Sequence, residues 1–156
     1  APAVGESVLA MTRSPHPPPL EAMLTVLLND IATIPDEFVL ILDDFRNRDW
    51  GNVDLQFSRM FPQGQWVDLD ANHPIFHSFF EINSLDIIPQ AYDAGRPIFR
   101  AMFQDNDPSK RMLAIAAYNT DISEFWEWSD TGYAPIDVSN EAYKIGINLF
   151  MYGITH

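Results

Sequence analysis

Apolar residues at Leu20, Met23, Leu24, Leu27, Leu28 and Ile31 recur at spacings of three and four. That period predicts an amphipathic helix over residues 20–34, ended by Pro35-Asp36. The next run, Phe38-Val39-Leu40-Ile41-Leu42, is continuously apolar and closes on Asp43-Asp44. Such a run suits a central parallel strand covered on both faces. Trp50, Val53, Phe57 and Met60 fall on one helical face, with Asp49 as the cap and Pro62 as the stop. Residues 66–69 predict a short strand, and Asn72-His73-Pro74 opens a turn that becomes one or two helical turns through Phe80. Two more apolar runs, 98–103 and 112–118, flank the turn-forming Gln104-Asp105-Asn106-Asp107-Pro108-Ser109 and predict a hairpin. Residues 119–138 carry no clear period and predict a long loop. Ser139 then caps a last helix, with Glu141 in its first turn and Tyr143, Ile147, Phe150 and Met151 facing inward. Early alternation of helix and strand gives an α/β class, a three-layer sandwich with a mostly parallel sheet and an antiparallel part. Five of the twelve prolines lie in residues 1–19, which predicts an extended proline-rich arm ahead of a single α/β domain over 20–156.

Composition narrows the function more than the fold. The 156 residues carry 9 Lys and Arg against 22 Asp and Glu, a formal net charge of −13. Counterion release from a phosphate backbone needs basic side chains, so nucleic-acid binding is not expected. No cysteine is present, which removes disulfides, thiolate metal sites and any cysteine nucleophile. No apolar run is long enough to span a membrane, and the start lacks a basic n-region followed by an apolar h-region. The expectation is a soluble chain without a signal peptide, its compartment open.

Chemistry-bearing residues cluster in a few places. In open α/β sheets ligands bind beyond the carboxyl ends of the strands, where Asp43 and Asp44 are expected. His73 and His77 are spaced i, i+4 and would share a helical face. With His156 they are the candidate ligands for a divalent metal, and carboxylates from Asp43, Asp44, Asp121 or Glu127 would complete the set. Against this, Pro74 suits a simple turn and His77 a hydrogen-bonded core position. Glu124-Phe125-Trp126-Glu127-Trp128 mixes flat aromatic faces with acids, which suits a binding surface as well as the private core of a loop. Asp105-Asn106-Asp107 lacks the spaced acids of a calcium loop and reads as a solvated turn. No G-x-x-x-x-G-K-[ST] phosphate loop and no G-x-S-x-G elbow occurs, so nucleotide hydrolysis and serine hydrolase chemistry have no machinery here.

Asp43-Asp44-Phe45, Arg59-Met60-Phe61-Pro62, His73-Pro74-Ile75-Phe76-His77, Tyr118-Asn119-Thr120-Asp121, Trp126-Glu127, Gly146-Ile147-Asn148 and Thr155-His156 resemble, in order and separation, a bacterial domain family of unknown function, the one numbered 4159. The resemblance covers residues 43–156 and implies a flavodoxin-like, class I glutamine amidotransferase-like fold with no established activity. The nucleophile of that fold is a thiolate, which this chain cannot supply. Residues 1–44, through Val4-Gly5-Glu6-Ser7-Val8-Leu9, Pro17-Pro18-Pro19-Leu20-Glu21, Leu27-Leu28-Asn29-Asp30 and the strand ending in Asp43-Asp44, resemble the ATPase module of maltose-regulator-type signal-transducing transcription regulators. There the two acids belong to the Walker B strand, and the two resemblances imply a chimeric junction at Asp43-Asp44.

Three readings follow. The first is a non-catalytic ligand- or partner-binding domain on an amidotransferase-like core, with Asp43, Asp44, Asp121, Trp126, Glu127 and Trp128 as binding candidates. The second is a metal-dependent hydrolase or oxidoreductase using His73 and His77. The third is a structural or self-assembling subunit, a homo-oligomer or one that docks on a protein partner through its exposed arm.

Overall fold

A computed structural model of the chain describes residues 4–33, 39–45, 55, 57–86 and 95–156. The Asp49 cap, the helix stop at Pro35-Asp36 and Phe38 lie outside the described residues, as do the side chains of Asp44 and Phe45. The chain divides into two compact units, residues 1–37 with 51–63, and residues 38–50 with 64–156.

In the first unit, helix α1 (Glu6–Thr12) starts from Gly5, whose φ of 83° is open to glycine at little cost. The Gly5 N–H donates to the Asp30 carboxylate. Four of the five prolines of this stretch, Pro15 and Pro17 to Pro19, lie beyond α1, so residues expected to be extended wind into a helix ahead of them. Helix α2 (Leu20–Ala32) follows directly from Pro19 and buries Leu28 and Ile31. Residues 57–60 are helical, Phe57 is buried, and its ring stacks on Phe61.

The second unit is built on a four-stranded sheet of β1 (Leu40–Phe45), β2 (Val67–Leu69), β3 (Ile98–Phe103) and β4 (Met112–Tyr118), in the order β1-β4-β3-β2. Among the described residues only β1 and β4 run parallel; β4 with β3 and β3 with β2 are antiparallel. This overturns the mostly parallel, flavodoxin-like three-layer sandwich expected from the sequence. A parallel neighbour needs a long crossover. The turn between β3 and β4 is far too short for one, and the hairpin it forces fills the middle of the sheet. The apolar run of β1 is correspondingly not central; among the described residues it is the terminal strand, with Ile41 44 % exposed.

Phe99, Ala101 and Phe103 of β3 face the same side as Met112, Ile115 and Ala117 of β4 and join one core. A register shift between Met102 and Phe103 lets Met112 share that side with Ile115, against the simple period of two. Over this face lies the last helix, which begins at Ile136 after Pro135 and not at a Ser139 cap. The 119–138 segment is not all loop, because residues 122–127 form a helix. We call these α3 (Ile122–Glu127) and α4 (Ile136–Thr155). Helix α4 buries Ala142, Ile145, Asn148, Leu149 and Tyr152, whereas Tyr143, Ile147 and Phe150, expected inside, are exposed. The inward face is thus offset from the one chosen by the largest side chains. Fully burying Phe76, Phe99 and Phe103 contributes about 1.5–3 kcal/mol each. On the opposite face of the sheet Met102, Ala114 and Ala116 are buried as well.

Candidate functional site

Parallel pairing of β1 with β4 sends both carboxyl ends to one edge of the sheet. Beyond Tyr118 the chain turns at Asn119, buried with a φ of 58°, and enters α3 beside the end of β1. Asp43 therefore meets the start of α3, where its two carboxylate oxygens accept the Ile122 N–H at 3.2 Å and the Ser123 N–H at 2.7 Å. Asp121 is the N-cap residue, and its Oδ1 accepts the Glu124 N–H at 2.8 Å and the Ser123 hydroxyl at 2.9 Å. First-turn N–H groups have no partner inside a helix, and a carboxylate there is also favoured by the helix dipole. Both acids hold α3 in place over β1.

What α3 presents is Trp126. Its indole lies so close to α4 that a Cβ at Gly146 would come within 2.1 Å of the ring. Tyr143, one turn earlier on α4, stacks on the same indole at 6.2 Å and 13°, and its hydroxyl donates to the Trp126 carbonyl. Ser129 pairs with that hydroxyl from the other side. Beside the indole the helices leave β1 incompletely covered, and a small pocket of about 30 Å³, open at its mouth, remains. Ile41, Phe99, Ile115, Ala117, Ile122 and Leu149 make its wall almost entirely apolar; Leu42, Asp43 and Trp126 complete it. Trp126 Nε1 is buried and, among the described residues, meets no hydrogen-bond acceptor. Thr120 Oγ1 and Ser139 Oγ are also buried without a partner, but neither residue lines the pocket.

Of the candidate binding residues, Asp43, Asp121 and Trp126 are brought together around α3. Glu127 and Trp128 are exposed and lie outside the pocket wall. The Asp44 side chain is outside the described set.

The histidines do not converge as the i, i+4 spacing suggested. Residues 74–77 form a 3-10 turn, not an α-helix, and His73 sits before it as the cap, accepting the Ile75 N–H on Nδ1. Its ring packs between Phe103 and Tyr152, and burial, ahead of the opposing pull of Asp70, lowers its pKa. His77 points elsewhere. Its Nδ1 lies 2.7 Å from Glu81 and its Nε2 2.8 Å from the Ala71 carbonyl, and these two hydrogen bonds raise its pKa, Glu81 foremost. His156 stacks on Tyr152 at 4.3 Å, so its neighbour across that ring is His73, not His77. Among the described residues no group of three His, Asp or Glu side chains is gathered closely enough to hold a metal ion. No described helix is long and apolar enough to cross a membrane.

Sequence reasoning missed the pocket wall, the Gly146 notch and Asn148. This last residue is fully buried in α4: its Oδ1 accepts the Phe79 and Phe80 N–H groups, and its Nδ2 donates to the Phe80 carbonyl. An isolated glycine and an asparagine within an apolar helical pattern are the readable signs of such constraints.

Comparison with protein families matches residues 38–154 to a domain of unknown function (DUF4159). The match starts ahead of β1, so the strand carrying Asp43 lies within the family domain; the ATPase-like resemblance of residues 1–44 and the junction placed at Asp43-Asp44 find no support. No curated protein and no solved structure matches the chain.

Proposed function

Since the chain belongs to the DUF4159 family of domains of unknown function, we propose that it acts as a binding module whose recognition site is the pocket beside Trp126. The occupant we infer is a compact apolar group, a branched aliphatic tip or the edge of a single aromatic ring, carrying one hydrogen-bond acceptor. The observation that carries this reading is an apolar pocket whose wall includes an indole with a buried, unpartnered N–H. Leaving a buried donor unpaired costs about 1–3 kcal/mol, which an acceptor on the occupant would recover. Small-molecule sites combine an apolar wall with a few polar groups in this way. A non-catalytic role accords with the positions of the acids, since Asp43 and Asp121 are engaged in holding α3.

The test is titration of 5-fluorotryptophan-labelled protein with benzamide and with toluene, read by fluorine NMR. Trp126→Phe assigns the resonance. The Trp126 resonance should shift saturably with both compounds and more strongly with benzamide, and Ile41→Phe at the rim should abolish the shift. A Trp126 resonance indifferent to both compounds at millimolar concentration refutes the reading.

A further inference from the structure

Helix α4 is apolar on two faces. Besides the face it buries, it exposes Ile136, Tyr143, Ile147, Phe150 and Ile154, each between 39 and 76 % accessible. A surface helix ordinarily turns charged residues outward, and one that is apolar all round is covered. From Tyr143 onward these residues are spaced four, three and four, with Ile136 one heptad earlier, which is the period of a two-helix seam.

The charges on α4 identify what covers it. In a chain of net charge −13, residues 145–155 contain no charged side chain. Asp137, Glu141 and Lys144 all lie in the first half of the helix. The exposed stripe is also palindromic about residue 145: Ile136 mirrors Ile154 and Tyr143 mirrors Ile147. A two-fold axis brings each residue of a patch against its mirror on the other copy. An antiparallel pair of α4 helices would therefore set Ile136 against Ile154 and Tyr143 against Ile147 twice over, with Phe150 opposite Asn140. It would also lay each acidic half along the partner's uncharged half. A parallel pair would bring Asp137 beside its own copy, at a cost in like-charge repulsion, whereas Glu141 is paired with Lys144.

We propose that the covering partner is a second copy of this chain, docked through α4 in antiparallel register. From Ile136 to Ile154 the seam runs about 27 Å at 1.5 Å per residue. A surface of one helix is at the small end of stable interfaces, so association should be concentration-dependent, with a Kd on the order of micromolar. This inference does not rest on occupancy of the Trp126 pocket, although Tyr143 of the seam also stacks on that indole.

Sedimentation velocity of the full chain across a concentration series is the first test. The 17.8 kDa species should double in mass with rising concentration. Phe150→Glu and Ile147→Glu, both at exposed positions, should keep the circular dichroism spectrum and stay monomeric. Because the chain has no cysteine, oxidation of an equimolar mixture of Ile136→Cys and Ile154→Cys proteins then reads the register. Mixed disulfide dimers, with little dimer from either variant alone, are expected. Dimers formed equally well by each variant alone overturn the antiparallel arrangement. A monomer at every concentration up to the millimolar range overturns the proposal and leaves the stripe to a different protein.

Discussion

At Asn148 and at Gly146, two residues apart on α4, the rest of the domain meets the same helix in contrasting ways. Asn148 is buried and satisfied: three hydrogen bonds to the backbone at Phe79 and Phe80 tie the segment after the 3-10 turn to the helix. At Gly146 the helix has given up a side chain to admit the Trp126 indole, and that ring, which lines an apolar pocket, keeps an unpartnered N–H. The first junction is closed in the sense that each side chain group has a protein partner. The second is rigid in position and incomplete in bonding. A buried polar group with its partners specifies structure, and one without them beside a pocket keeps bonding capacity that an occupant could use.

The largest expected effect breaks the closed junction. Asn148→Leu keeps the volume but strips the Phe80 N–H of its acceptor and its carbonyl of a donor, and should cost about 3 kcal/mol in urea unfolding. A loss under about 1 kcal/mol would mean the segment bonds to water as readily. Next comes Gly146→Ala. In an open helix this change gains about 1 kcal/mol; against an indole edge at 2.1 Å it should instead destabilise by about 1–3 kcal/mol. It should also displace Trp126, visible as a changed near-ultraviolet circular dichroism spectrum. A stabilised Gly146→Ala protein would show that the indole sits elsewhere.

Asp43→Ala sharpens the comparison from the side of β1. It frees the Ile122 and Ser123 N–H groups and should cost about 1 kcal/mol, in the range of a lost helix cap. Because Asp121 still caps α3, the helix should persist while Trp126 loses its fixed position, read as broadening of its fluorine resonance.

The smallest effect is a pH dependence of the closed junction. His77 bridges Glu81 and the Ala71 carbonyl on either side of the tied segment, and both bonds are donated together only by the imidazolium. Its pKa stands above the ordinary 6.5, so the bridge is fully present below 6.5 and is lost as pH rises through the raised folded value. His73 has the opposite sign. Buried neutral, it contributes fully above 6.5 and loses that contribution as pH falls through its lowered value. A histidine NMR titration should show His77 titrating above His73, and the protection of the Phe79 and Phe80 amides, taken relative to the unprotected exchange rate at each pH, should fall on the alkaline side. The reverse order of titration would contradict the two environments.

The legible part of the fold was local. The hairpin, the short strand expected at 66–69 and found at 67–69, and the helix expected at 20–34 and found at 20–32 follow from period and turn residues, because neighbours along the chain decide them. The place of β1 did not follow: a continuous apolar run reads as central, and only the pairing of β3 with β4 moves it to the end of the described sheet. The inward face of α4 was misread for a related reason, since Phe150 and Tyr143 are larger than the Ala142 and Leu149 that fill the space over the strands. Of the site, Asp43, Asp121 and Trp126 were identifiable as chemistry-bearing types. That Asp43 serves as a helix anchor depends on how β1 and β4 align, which no spacing in the sequence encodes, whereas the Asp121 cap is a local contact with Glu124 three residues on.

The central claim is that Trp126 holds its indole N–H in reserve for an occupant of the pocket. The most direct measurement is the indole proton shift of Trp126 in a nitrogen–proton correlation spectrum, assigned with Trp126→Phe. In the free protein it should lie upfield, at the position of a donor without an acceptor, and move downfield as benzamide is added. A resonance already at a hydrogen-bonded shift in the free protein, unmoved by the ligand, would contradict the account.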